Sequence, residues 1–286
     1  VSYFASVIVI IQSLFHYLIG GHLVANLPFL LKDEIRLQYM SLISTGVDST
    51  GIYRPSAFFL EPAHFSQYGI IALLYILLRE KKDGRIKKAI LISVGIALTL
   101  SGMGIVMVLG AWITFLALGL DYKKRQSFEN ALYLIVAGLI IVFFLSQLPL
   151  FQTALKRITG NETGYNAIWG RLFYWDYYFK PLQRSQLIWG LGYSVDTQNY
   201  MTGFMKLLYC SGYIGVVLFY FALLKNIRNR TKFSVITGLT YAAMTLFSGI
   251  TATINLVFFL TVIFSTKRDD SKVKSSVNKE GVCNAL

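Results

Sequence analysis

Long apolar runs broken at intervals by clusters of Lys and Arg dominate this chain. The clusters are Arg79 to Lys88 (REKKDGRIKK), Lys123 to Arg125, Lys225 to Lys232 (KNIRNRTK) and the stretch from Lys267 onward. The apolar segments between them are about long enough to cross a bilayer as helices, which takes roughly 20 residues. Val1 to Ile19 predicts a first helix, followed by a long mixed loop from Gly20 to Leu60. A second helix is expected from Pro62, because proline suits a first helical turn, and continues to Leu78. It ends on the strongest basic cluster, so the loop before it belongs on the outer face.

Ala89 to Leu120 places about 32 residues between two clusters that belong on the same side. A single helix would end on the wrong side, whereas two of about 16 residues, roughly 24 Å each, nearly span. The turn between them is expected at Ser101-Gly102-Met103-Gly104. Phe233 to Ser265 poses the same problem, with a natural break at Ser248-Gly249, and predicts a second short hairpin. Ala131 to Leu148, a long outer loop from Pro149 to Thr202 and a returning helix from Gly203 to Leu224 complete the pattern. The prediction is an all-α, polytopic transmembrane helix bundle of about eight spans, including two short hairpins, with two long extracytoplasmic loops. Residues 1–265 form one transmembrane domain with both ends cytoplasmic. Residues 266–286 form a basic cytoplasmic tail with little to bury, which predicts disorder. Val1 stands inside an apolar run without the basic region and cleavage site of a signal peptide, as expected of a sequence missing upstream helices.

Composition sharpens this picture. With 55% hydrophobic and 14% charged residues, the chain is ordinary for a membrane bundle and implausible as a soluble domain. Of the 27 Lys and Arg, 18 fall in the four basic segments, while the 14 acids divide evenly between the two sides. The asymmetry belongs to the cations alone, so the net charge of +13 reads as membrane orientation and not as nucleic-acid binding. Cys210 and Cys283 offer no metal-ligand spacing. No Walker A loop or dinucleotide fingerprint occurs, and Gly190-Leu191-Gly192 is only a G-x-G at a turn.

Two places concentrate chemistry. Tyr53 to Tyr68 reads YRPSAFFLEPAHFSQY, with Arg54, Glu61 and His64 where an outer loop enters the membrane. On a helix starting near Pro62, Glu61, His64 and Tyr68 share one face, giving a polar stripe that faces the bundle. Ionisable groups at such depth are costly and default to a functional reading, although an N-cap glutamate beside an interfacial histidine would explain them too. The second outer loop carries Lys156, Arg157, Arg171, Lys180 and Arg184 against Glu162, Asp176 and Asp196, a positive excess where loops usually avoid it. That excess predicts an anionic ligand. Aromatic residues interleave with it, among them Trp175, Tyr177, Tyr178 and Phe179; they either stack on sugar rings or form an interfacial girdle. Arg171 and Trp175 are four apart, so a helix lying on the membrane would put both on one side. Gln198 and Asn199 close the loop. Lys206 either snorkels outward or adds to the anion site. Thr99, Ser101, Gly212 and Gly215 read chiefly as small residues that let helices pack or turn.

These stretches resemble the C-terminal half of the Wzy-like polysaccharide polymerase and O-antigen ligase superfamily. The matching pieces, in the same order, are RPSAFFLEPAHFSQY (54–68), TLSGMG (99–104), GRLFYW (170–175), and GLGY followed by TQNY and CSGYIG. Together they cover about Tyr53 to Leu224. The resemblance implies a bacterial cytoplasmic-membrane protein acting on the extracytoplasmic face, an inverting, metal-independent glycosyltransferase without a cofactor. It implies transfer of an oligosaccharide from a polyprenyl diphosphate carrier to the hydroxyl of another lipid-linked repeat unit, in O-antigen, capsule or exopolysaccharide synthesis. Membrane lipid and other polysaccharide assembly proteins are the further partners expected. Arg54 and Arg171 would clamp the diphosphate, Glu61 and His64 would line the acceptor pocket, and Arg184, Trp175, Gln198 and Asn199 would contact substrate. Many ligases of this family carry histidine before the asparagine; this chain has Gln198 before Asn199. The alternatives are a ligase with a different acceptor and a flippase or transporter of lipid-linked oligosaccharide, the latter needing charges along a transmembrane path that the span interiors scarcely carry.

Overall fold

Pro62 opens a helix because its fixed φ suits the first turn and its missing N–H is not needed there. That helix, Pro62–Leu78, is the centre of the first of two compact units, Val1–Ala167 and Ile168–Leu286. The computed structural model describes residues 1–23, 47, 53–59, 61–80, 84–119, 174–193, 201–227 and 231–248, with isolated positions between 129 and 152. Ala131 to Leu148 is therefore described only at scattered residues. The second half of the expected Phe233–Ser265 hairpin and the tail lie outside the described residues.

The first unit contains α1 (Ser2–Ile19), α2 (Pro62–Leu78), α3 (Arg85–Leu98) and α4 (Gly102–Thr114), the last extended by a π-helical turn over Phe115–Gly119. Gly20 ends α1 in the left-handed conformation, φ 76°, and donates its N–H to His16 O at 2.9 Å. From Gly69 onward α2 is apolar all round, and along the helix Phe65, Ile70, Leu73, Leu74 and Leu77 are fully buried against α1, α3 and α4. Small residues set the approach of these helices. A Cβ at Gly95 would stand 2.7 Å from Ser6 Cβ, and one at Gly104 would stand 2.6 Å from Ser66 Oγ. Gly104→Ala is expected to destabilise this unit by about 1–3 kcal/mol, read as a lower midpoint of thermal unfolding in detergent.

The hairpin between α3 and α4 exists, but its turn is Thr99–Ser101 and not 101–104. Leu100 takes a left-handed φ of 53°, and the Ser101 hydroxyl accepts from Gly104 N at 3.3 Å. That cap makes Gly102 the first helical residue, so the chain turns two residues earlier than the glycines suggest.

The second unit contains α5 (Trp175–Phe179), α6 (Arg184–Trp189), α7 (Gly203–Ile227) and α8 (Lys232–Phe247). Helix α7 starts on a Thr202 cap, with Met205 N donating to Thr202 Oγ1 at 3.2 Å, and breaks at Gly212, where φ is 64° and ψ −175°. The break leaves carbonyls without their helical partners, and the chain after α6 takes them. Leu191 N donates to Tyr209 O at 2.9 Å and Gly192 N to Cys210 O at 2.8 Å. Tyr178, Phe179, Met205 and Leu208 form a buried cluster between α5 and α7, while α8 packs beside α7 and caps it through Gly203 N to Ser248 O, 2.8 Å.

Among the described residues the structure is helical, with one isolated bridge between Val47 and Tyr53. Two helices are long and apolar enough to cross a membrane, Ser2–Ile19 and the Gly203–Lys225 part of α7. Both leave large apolar side chains outward, including Phe4, Leu14 and Leu18 on α1 and Val217, Leu218 and Phe221 on α7.

Candidate functional site

Tyr53 to His64 is assembled from two sides. From α1 and the residues just after it, Tyr53 is held at 4% exposure: its hydroxyl donates to Leu23 O at 2.8 Å. Its ring stacks on His16 (centroids 4.3 Å apart) and His22 (5.2 Å). Burial pushes the Tyr53 phenol up to about 12, so it stays a neutral donor at physiological pH. Two residues past Pro55, Ala57 takes a left-handed φ of 52°, and its N–H donates to Gln12 Oε1 at 2.9 Å. Ser56 and Phe59 then close a turn, Ser56 Oγ donating to Phe59 O at 2.8 Å and Phe59 N to Ser56 O at 3.0 Å.

From the other side, the α3–α4 turn anchors Arg54, whose Nε donates to Thr99 O at 3.4 Å. Thr99 is wholly buried, and its hydroxyl is engaged inside the protein with Ile96 O (2.6 Å), Ser66 Oγ (3.2 Å) and Ser101 N (3.3 Å). Thr99 and Ser101 therefore build the turn. Since Ser66 belongs to α2, the carbonyl that positions Arg54 is tied to the helix that Glu61 caps.

Glu61 is the N-cap of α2 and has extended backbone angles, and its carbonyl accepts from His64 N at 3.0 Å. Its carboxylate stands 3.7 Å from His64 Nε2, with the histidine side chain 15% and the glutamate 30% exposed. A protonated imidazole forms an ion pair there; a neutral one has a carboxylate beside it to receive or orient a proton. Tyr68 does not continue a bare polar stripe, because the Phe59 ring packs on it at 5.4 Å and on Phe65 at 5.6 Å.

In the second unit, Trp175 opens α5 and its ring lies 4.4 Å from Phe179. The aromatic run is divided: Tyr178 and Phe179 are buried, Trp175 is half-buried against the same cluster, and Tyr177, Trp189 and Tyr193 are exposed. Trp175 thus packs on this cluster with one part of its ring and leaves the rest open. Arg184 is exposed at the start of α6, beside a capping box in which Gln183 N donates to Gln186 Oε1 at 2.9 Å. Arg171, Gln198 and Asn199 lie outside the described residues, as does the helix face expected to carry Arg171 with Trp175.

No protein-family model, curated protein or solved structure matches this chain. The site therefore stands on its own residues. Arg54 is anchored on the α3–α4 turn while Glu61 and His64 open α2, and among the described residues no group of three or more His, Cys, Asp or Glu could hold a metal. Gln12, His16 and His22, all packed against this segment, were not singled out from the sequence. The available signal was a single amide, Gln12, inside an otherwise apolar helix.

Proposed function

We propose that the protein is an integral-membrane glycan polymerase, with about eight spans and the Arg54–His64 site on the extracytoplasmic face. The observation that carries this reading is the joint anchoring of an arginine and a carboxylate–imidazole pair: Arg54 hangs from the turn that is pinned to α2, whose first residues carry Glu61 and His64. The outward apolar faces of α1 and α7 support a lipid surrounding, since patches of that kind are uncommon on soluble proteins.

The chemistry suits this inventory. In a polyprenyl diphosphate-linked oligosaccharide the anomeric carbon already bears a good leaving group. The acceptor hydroxyl oxygen attacks that carbon from the face opposite the diphosphate, the carbon–oxygen bond to phosphate breaks, and the configuration inverts. Negative charge gathers on the departing diphosphate, where a guanidinium stabilises it with paired N–H donors. The hydroxyl proton passes to a base, His64 or Glu61, whichever the other orients. Arg171 joins Arg54 on the diphosphate, and Arg184, Trp175, Gln198 and Asn199 contact the substrate.

The test is the length distribution of cell-surface glycan with and without the intact gene. Loss of the gene is expected to leave single lipid-linked repeat units and no ladder. An unchanged ladder sinks the proposal, and accumulation of long untransferred chains would assign the protein to ligation.

A further inference from the structure

We propose that Gln12 is a positioning residue for this site, an amide in the first apolar helix that locks the Arg54–Glu61 segment into its working geometry. The geometry is carried by the first unit alone; the effect on activity rests on the polymerase reading.

Gln12 is 2% exposed, in the middle of an apolar helix, and both ends of its amide are used. Its Nε2 donates to Leu23 O at 3.0 Å and its Oε1 accepts from Ala57 N at 2.9 Å. The partners determine the orientation of the amide, because a backbone N–H can only donate and a carbonyl can only accept. One planar group therefore joins the chain leaving α1 to the chain about to enter α2. Leu23 O also accepts from the Tyr53 hydroxyl, so both of its lone pairs are engaged in the same lock.

Arg54 lies between the two locked points, Tyr53 and Ala57. Ala57 is fully buried and left-handed, a conformation that a non-glycine residue keeps only when its surroundings over-determine it. The bond to Gln12 supplies that constraint. Without it, the Ala57 N–H is buried and unpaired, the left-handed turn relaxes, and Arg54 loses its fixed approach to the reacting groups. Displacements of about 1 Å can cost a reaction roughly a hundredfold.

The test uses the intact gene in cells, with Cys210 and Cys283 changed to serine, and two readouts. The first is the labelling rate of a Ser56→Cys probe, buried in the native turn, by a membrane-impermeant maleimide; a Met201→Cys probe, buried in the second unit, reports whether the rest of the fold is retained. Gln12→Leu removes both bonds and is expected to raise labelling at 56 by about tenfold while leaving labelling at 201 unchanged. Gln12→Glu, kept protonated by burial, retains an oxygen for the Ala57 N–H and an O–H for Leu23 O, and is expected to preserve most of the protection. Gln12→Asn, one methylene shorter, cannot reach both partners and gives the same reading as Gln12→Leu if that variant does not accumulate. The second readout is the polymer ladder, expected to fall about tenfold or more in Gln12→Leu and to recover in part in Gln12→Glu.

Unchanged labelling at 56 in Gln12→Leu and Gln12→Asn overturns the proposal, as does a Gln12→Glu variant labelled as fast as Gln12→Leu. A ladder kept in Gln12→Leu but lost in Arg54→Ala overturns the link between lock and activity. A ladder kept in both, with labelling raised, leaves the lock standing and rejects the polymerase reading.

Discussion

Gly212→Ala is expected to abolish accumulation of the folded protein. At φ 64° and ψ −175° the residue occupies a region open essentially to glycine alone, which costs any other residue about 1–3 kcal/mol before contacts are considered. A Cβ there would lie 2.1 Å from Ile188 O and 2.6 Å from Gly190 N. Both are backbone atoms, so no side chain can swing aside. The two parts would have to separate, breaking the bonds from Leu191 and Gly192 to the carbonyls of Tyr209 and Cys210, and stranding those carbonyls in an apolar helix. The combined loss, about 3 kcal/mol or more, is a large fraction of an ordinary domain's stability. Gly190→Ala is expected to do the same, since its Cβ would meet Cys210 O at 2.3 Å and its φ is 79°. Gly192→Ala is the control: its φ is 88°, but nothing lies within 4 Å of the added methyl, so only the conformational cost remains. Protein level and unfolding midpoint in detergent decide the matter; a Gly212→Ala protein that melts like the parent would refute the interlock.

On the proposed polymerase reading, Arg54→Ala is expected to remove the polymer ladder while the protein accumulates normally. Removing a preorganised donor from the place where charge develops typically costs a reaction about 10²–10³-fold, and here the side chain's tether to Thr99 O is lost as well. Arg54→Lys keeps the charge but not the planar fork, so an intermediate ladder is expected. Because Arg54 contributes to the loop and not to the helix core, a loss of ladder at unchanged protein level separates chemistry from folding. An undiminished ladder in Arg54→Ala would remove the arginine from the mechanism.

Much of the helical frame is legible residue by residue. Pro62 marks the start of α2, Gly20 the end of α1, and the excess length of Ala89 to Leu120 demands a turn, because each is a statement about one or two turns of backbone. The misplaced hairpin turn shows the limit of that reasoning. Two glycines within three residues, Gly102 and Gly104, attract a turn, yet the Ser101 cap and the left-handed Leu100 place it earlier. In the same way Gly212 looks like a packing glycine; only the chain at 190–192, some twenty residues away in sequence, gives its conformation a reason.

The candidate site divides along the same line. Arg54, Glu61 and His64 stand out as ionisable residues beside an apolar helix, and that much is a property of the chain's chemistry. Their geometry comes from partners that sequence proximity does not supply: Gln12 reaches Ala57 across 45 residues, as does Arg54 to Thr99, and Ser66 meets Thr99 across 33. Helix starts, caps and apolar lengths are local, so neighbouring residues settle them. Which buried amide meets which N–H depends on how the helices pack, because a polar group inside an apolar bundle must take whatever partner the packing brings within reach.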